Sequence, residues 1–342
     1  MKAVYIDEHG DIEKLNYGEL PDPIPRGNEI VLKVRACALN RADLWVRKGL
    51  PFWGPRRFPH ILGGDVAGEV VTVGPFVRSA MVGTQAVLNP GIGCDHCESC
   101  RAGKDNFCSQ YQVLGVDLQG GYADLVKVPE SNLVPFKGTD WEIAACVPGA
   151  YITAWAMLFE KAQLQPGEWA LVHAAGSGVG SAAIQLALLA GANVITTAGS
   201  DQKLEKASGL GVRYLINYNK QDFLHEVRRI TKKRGVDVVI EHMGRGIWER
   251  SLLCLTSGGR MVTCGVTSGY QVKTNVRHVF CRELRIYGNK LGSKASLFKI
   301  MRLLQERKIQ PVVDRVLPLK DARQAHQVLE ERKNFGKVVL VP

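Results

Sequence analysis

Residues 166–200 read PGEWALVHAAGSGVGSAAIQLALLAGANVITTAGS, and from Trp169 to Ser200 they contain no Asp, Glu, Lys or Arg. A run this apolar invites a membrane-span reading. The break at AAGSGVG and the many small residues favour a strand, a tight turn and a helix inside a protein core. Pro166-Gly167 turns the chain into an apolar strand, roughly Trp169 to Ala174. Gly176, Gly178 and Gly180 follow, then an amphipathic helix from about Ser181 to Ala190, and after Gly191 a second strand from Asn193 to Thr197. This is a β–α–β unit with its glycines at the first turn. There Ala175, Gly176, Ser177, Gly178, Val179 and Gly180 would bring backbone N–H groups close to a pyrophosphate at the helix N-terminus. The spacing is GxGxG from Gly176 rather than strict GxGxxG, so the flanking strand and helix carry the assignment.

The end of the second strand selects the dinucleotide. An acidic residue there would bond the ribose 2′-hydroxyl of NAD, whereas cations without one accommodate the 2′-phosphate of NADP. Ala198 and Gly199 are not acidic, and Ser200 and Lys203 are placed to meet a phosphate. Asp201 argues the other way, but it begins the next helix and should point away. NADP(H) is expected ahead of NAD. Further strands at 214–218, 237–244, 258–266 and 284–289 alternate with helical stretches, which predicts a doubly wound parallel sheet. Its strand ends nominate Tyr218, His242, Gly244, Gly265, Thr267 and Asn289 as cofactor-facing, with packing as the alternative for each.

A chain of 342 residues suffices for two domains, and its 46% hydrophobic and 23% charged residues are ordinary for a globular protein. The opening MKAVYIDEHGD reaches charge too early for a secretory signal, so a cytoplasmic protein is expected. The net charge of +11 invites a nucleic-acid reading, but the basic residues are scattered. Their densest run, EVRRITKKRG at 226–235, reads as a solvated helix face. Neither a nucleic-acid nor a membrane partner is expected.

Nine cysteines in such a chain should be thiols. Cys37, Cys146, Cys254, Cys264 and Cys281 lie singly in apolar segments and read as small buried hydrophobes. Cys94, Cys97, Cys100 and Cys108 instead fall within CDHCESCRAGKDNFC, and four thiolates at this spacing fit one tetrahedral zinc. A catalytic zinc keeps a ligand position open; four cysteines close it, so this zinc would be structural, with an iron–sulfur cluster or disulfides as the alternatives.

Taken in order, these motifs resemble the medium-chain dehydrogenase/reductase superfamily of zinc alcohol dehydrogenases and quinone oxidoreductases. The resemblance covers essentially the whole chain and includes MKAVYIDEHG, VRACALNRADLWVRKG (34–49), GGDVAGEVVTVGPFV (63–77), the cysteine lobe, AAGSGVG and the closing FGKVVLVP (335–342). It implies a GroES-like β-rich domain over 1–152 carrying the zinc lobe at 94–108. A Rossmann domain over 153–287 and a C-terminal segment, 288–342, returning to the first domain would complete the α/β architecture. It also implies a homodimer or homotetramer joined through edge strands of the Rossmann sheets.

This chain departs from the superfamily at the catalytic zinc. Asn40 stands where zinc-dependent members have Cys, GGD replaces GHE and so offers Gly64 and Asp65, and the third ligand position falls near Gly149. Cys37 should face away from Asn40, and Asp65 alone cannot hold zinc. LNRAD (39–43) and AAGSGVG look closer to the quinone oxidoreductase and enoyl-reductase side of the superfamily. This resemblance implies hydride transfer from NADPH to a quinone or an α,β-unsaturated carbonyl, which unlike alcohol oxidation needs no metal to remove a proton. Asn40 would polarise the acceptor oxygen. Asp43 and Asp65 are catalytic candidates whose alternative is to brace loops. Thr153 and Trp155 follow the nicotinamide-lining helix, and Trp45 and Trp53 the substrate entrance. Two rival readings are an alcohol dehydrogenase with displaced zinc ligands and a low-turnover NADPH-binding protein that binds RNA or a partner.

Overall fold

The computed structural model describes residues 1–50 and 57–342, so Trp53 lies outside the described residues. The chain divides into two compact units: Met1–Ile152 with Ser293–Pro342, and Thr153–Gly292. Among the described residues no helix is long and apolar enough to cross a membrane.

The first unit is built around EIVLKVRACA, strand β1 (Glu29–Ala38), whose side chains are buried along most of its length. Strand β2 (Asp65–Val73) pairs antiparallel with it, with Ala38 opposite Asp65. Seven strands make this sheet; Leu125–Pro129 also pairs with β1, and the last strand of the chain lies on the side of β1 opposite β2. Helix α1 (Arg41–Lys48) begins directly after β1 and ends at Gly49, whose φ of 66° is the left-handed cap that a residue without Cβ adopts freely. Helix α2 runs over Pro148–Trp155.

The second unit is a six-stranded sheet. Strands β3 (Trp169–Val172), β4 (Asn193–Ala198), β5 (Tyr214–Asn217), β6 (Val236–Glu241), β7 (Leu255–Thr263) and β8 (Arg285–Gly288) lie in the order β5-β4-β3-β6-β7-β8. Every pairing is parallel. The chain winds outward both ways from β3, so the crevice between the ends of β3 and β6 is the topological switch point. Helix α3 (Gly178–Leu189) starts three residues before the position expected from the sequence, because Ser177 caps it. The uncharged run Trp169–Ser200 thus becomes β3, α3 and β4. Leu171, Ile195, Phe223, Val239 and Met261 are buried in one core cluster.

Two expectations need correction. The basic run is helical only to Ile230, the end of α5 (Phe223–Ile230). Beyond it, Lys232 and Lys233 take positive φ in a turn. Cys281 is exposed and Cys264 is half-buried rather than both being core residues. Helix Val276–Cys281 has no buried residue, so an apolar neighbourhood in sequence did not become a core.

The last strand, β9 (Lys337–Val341), pairs antiparallel with β1 in the register Val339 to Ala38 and Leu340 to Cys37. Continuing that register by two residues sets Lys337 opposite Asn40. Because Ala38 also faces Asp65 on the other side, three separated segments meet at one end of β1.

Candidate functional site

At that end of β1, the first unit holds a compact polar cluster. The Lys337 ammonium donates to Asn40 Oδ1 at 2.7 Å and to Asp65 Oδ2 at 2.8 Å. The other oxygen of Asp65 accepts the Gly149 N–H at 2.8 Å. Asp65 is wholly buried and Lys337 is 5% exposed, so each charge is desolvated and is tolerated because the other compensates it. Asn40, Asp65 and Gly149, which the sequence places apart, are therefore brought together. Lys337 is the residue that sequence reasoning missed. Its only signal was a lysine opening an otherwise apolar strand.

Asp43 braces the same corner. Its carboxylate accepts the Asn40 N–H at 2.7 Å and the Tyr122 hydroxyl at 3.0 Å. Burial pushes its pKa up to about 6 despite those donors. The Tyr122 oxygen also lies 3.4 Å from His326 Nε2, while His326 Nδ1 is 3.2 Å from an Arg47 nitrogen. Arginine only donates, so His326 Nδ1 is the acceptor and Nε2 carries the proton. Burial holds His326 at about 3, consistent with that neutral form. Arg47 is fully buried and ends the chain of contacts on Glu330 at 2.6 Å. Thr153 is buried near the end of α2 and belongs to the second unit. Trp155 packs edge-on against Phe159, and Trp45 is half-buried on α1.

These residues do not fit a zinc ion with an open position. Asn40 offers an amide, and an ammonium already fills the space between it and Asp65. The missing side chains have no room either. A Cβ on Gly64 would stand 2.9 Å from the Leu114 carbonyl oxygen, and one on Gly149 would stand 2.6 Å from Asp65 Oδ1. Cys37 is buried against Gly63 and Gly121, and Cys146 lies at the end of the short helix Trp141–Ala145.

The cysteine lobe, also in the first unit, has the opposite character. The Sγ atoms of Cys94, Cys97, Cys100 and Cys108 all lie within 4.8 Å of one another, with Cys94 and Cys100 at 4.0 Å. Four thiolates around one zinc would sit about 3.8 Å apart, so this donor set fits a closed tetrahedral ion. Backbone N–H groups of Cys97 and Gln110 donate to Cys94 Sγ and Cys108 Sγ, each at 3.3 Å. The amides of His96 and Cys97 hold the Cys94 thiol down at about 6. Lys294 fastens the lobe: its ammonium lies 2.6 Å from Asp95, and its backbone N–H donates to Asp105 at 3.0 Å.

In the second unit the nominated cofactor residues gather at the carboxyl ends of the strands. Ala175 and Gly176 lie in the turn after β3, entered through Ala174 at φ 51°. Ser177 Oγ accepts the Gly180 N–H at 2.8 Å, and Gly178, Val179 and Gly180 form the first turn of α3. First-turn N–H groups have no partner within a helix, which suits this turn to a pyrophosphate. A Cβ on Gly180 would come within 2.3 Å of the Ala174 carbonyl oxygen, so a glycine is required there. Ser177 Oγ also lies 3.1 Å from His242 Nε2, linking the turn to the end of β6 across the switch point.

Gly265 and Thr267 follow β7 and pack on the His242 carbonyl, with the Thr267 hydroxyl 3.4 Å away. Gly244 adopts φ 86° beside them, and Asn289 follows β8 and bonds the Leu291 carbonyl at 2.7 Å. Glu241, unnoticed in the sequence, ties these loops together. It is fully buried and accepts the Met243 and Gly244 N–H groups at 2.6 and 2.7 Å and the Thr263 hydroxyl at 3.0 Å.

After β4, Ser200 caps α4 (Asp201–Ser208) through the Lys203 N–H at 3.3 Å. Tyr218 lies over Gly199 so closely that a Cβ there would be 2.7 Å from its hydroxyl. Asp201 accepts the Asn217 side-chain amide at 2.6 Å and pairs with Lys220, so its carboxylate is engaged beyond the strand end.

Known proteins share both units. The profile of the alcohol dehydrogenase GroES-like domain matches residues 26–138, and that of the zinc-binding dehydrogenase matches residues 178–306. An NAD-dependent alcohol dehydrogenase of Sulfurisphaera tokodaii is 30% identical over the full length of both chains. The chain belongs to the medium-chain dehydrogenase/reductase superfamily. An acryloyl-coenzyme A reductase of Metallosphaera sedula is 29% identical over 99% of each chain. The crystal structure of an NAD-dependent alcohol dehydrogenase superposes with a TM-score of 0.95 at 44% identity, covering both chains completely. The protein is thus an oxidoreductase of this superfamily.

Proposed function

We propose that the protein is an NADPH-dependent reductase of a quinone or of an alkene conjugated to a carbonyl, working without a catalytic zinc. The observation that carries this reading is the cluster of Asn40, Asp65, Gly149 and Lys337. It offers hydrogen-bond donors to an oxygen but no ligand set for a metal that would strip a proton from an alcohol. The likeness to an acryloyl-coenzyme A reductase supports it from outside. A bound reduced nicotinamide would supply a hydride, two electrons with one hydrogen, to the β-carbon and leave in its oxidised form. The alkene pair would become the carbon–carbon double bond of an enolate and the carbonyl pair would move onto oxygen, whose negative charge the Asn40 amide meets; the carbonyl re-forms as the α-carbon takes a proton from water.

The turn at Ala175–Gly180 and the strand ends at Tyr218, His242, Gly265, Thr267 and Asn289 would hold the dinucleotide. No carboxylate occupies Ala198 or Gly199, and Ser200 and Lys203 follow at once, which favours NADPH. The names of several relatives, NAD-dependent alcohol dehydrogenases, favour the opposite choice. We assign the cysteine lobe a structural zinc. Edge strand β8 together with exposed Tyr270, Val276, Phe280 and Ile286 supports self-association.

The test is NADPH oxidation against enoyl thioesters, enones and quinones, set beside NADP+- and NAD+-linked oxidation of alcohols on the same preparation. Alcohol turnover exceeding reduction of every alkene and quinone would overturn the reading.

A further inference from the structure

We propose that Lys337 is the built-in cation of this site, a positioning residue that orients and strengthens the Asn40 amide. This rests on the reductase reading and deepens it. An ammonium has donors only, so the atom of Asn40 facing it at 2.7 Å must be the carbonyl oxygen. That contact settles the orientation of the amide. The Nδ2 amino group is forced onto the other branch, beside Gly149, where a Cβ would lie 3.2 Å from it. Asp65 holds the ammonium at 2.8 Å and is itself fixed by the Gly149 N–H, so the lysine has little freedom to swing away.

An amide whose oxygen accepts a charge-assisted hydrogen bond is polarised, and its N–H groups become stronger donors. The Asn40 amino group is then suited to an oxygen that gains negative charge during reduction, and less suited to a neutral ground-state carbonyl. This is the differential binding that raises kcat. A metal ion would supply such charge from outside the chain; here β9 carries it in, covalently attached and already compensated by Asp65. Gly149 completes the arrangement, because any side chain there would press on both Asp65 and the Asn40 amino group.

The experiment compares Asp65→Asn/Lys337→Met with the parent. Removing both charges together leaves neither partner buried and uncompensated, so the double variant keeps its fold. NADPH affinity by cofactor fluorescence should stay within about twofold, and enone reduction should fall at least about 100-fold relative to the parent, mostly in kcat. In Asp65→Asn/Lys337→Ala, added ethylammonium should restore the rate at least about tenfold, saturably, which a purely structural lysine would not show. A double-variant rate within about threefold of the parent overturns the role of Lys337 while leaving the reductase standing. A parent that oxidises alcohols and reduces no enone, quinone or enoyl thioester overturns the reductase reading and this inference with it.

Discussion

The first unit contains two polar centres that solve the same electrostatic problem in opposite ways. The cysteine lobe gathers four sulfur donors within 4.8 Å and brings no cation of its own. The cluster at the end of β1 gathers one carboxylate, one amide and an ammonium supplied by β9. With the structural zinc proposed for it, the lobe would depend on that ion for its order and offer it no open position. The cluster carries its own cation, and the Asn40 amide turns its oxygen onto it. A site that must remain in shape can be closed around a metal, whereas a site that must meet a developing charge can carry its charge on a side chain.

Metal removal should separate them most sharply. Elemental analysis of rinsed protein should give about one zinc per chain, held by the lobe alone. Cys100→Ser should release it and with it a binding free energy on the order of 10 kcal/mol, read as lost amide protection over residues 93–113 by hydrogen exchange. About two zinc ions per chain would break the contrast outright.

Removing the tethered cation alone should cost less. Lys337→Met leaves Asp65 buried beside one N–H and an amide, and denaturant unfolding should show a loss of about 3–5 kcal/mol. Adding Asp65→Asn should restore most of it. An unchanged midpoint for Lys337→Met would mean that the pair is not electrostatically coupled.

A smaller effect should appear at Asp43, where the sign follows from its raised pKa of about 6. The folded state keeps a proton that the unfolded chain has released by about pH 4–5. The parent therefore loses stability as pH rises through 4 to 6, by on the order of 2–3 kcal/mol. Asp43→Asn has no such proton to lose. The stability difference, variant minus parent, should thus move in favour of the variant between pH 4 and 7 by that amount. A constant difference across this range would show that Asp43 is ionised throughout.

The smallest effect concerns the second unit. Lys203→Ala should weaken NADPH about three- to tenfold and leave NADH within about twofold, by fluorescence titration. Equal losses for both dinucleotides would remove Lys203 from any 2′-phosphate contact.

The second unit was largely legible from sequence, because periodicity and glycine placement are local. A strand, a GxGxG turn and a helix appear within 32 residues, and β6 announced itself as an apolar run. The errors were at edges: α3 begins at Gly178 because of a capping hydroxyl, and the basic run leaves its helix after Ile230. The gathering of the lobe was equally legible, since four thiols within fifteen residues need no distant partner. Asn40 and Asp65 could be nominated from motifs, but not the group that joins them.

What the sequence determined by itself was the pair of folds, the doubly wound sheet and the closed thiol set, because each is written in short-range spacing. What only the tertiary structure decided was the cluster of Asn40, Asp65, Gly149 and Lys337. It depends on the register of β9 against β1, which carries Lys337 across 297 positions to face Asn40. It depends as well on the lack of room for a side chain at Gly64 and Gly149. Register and steric room are properties of packed strands, and local sequence encodes neither until the strands have paired.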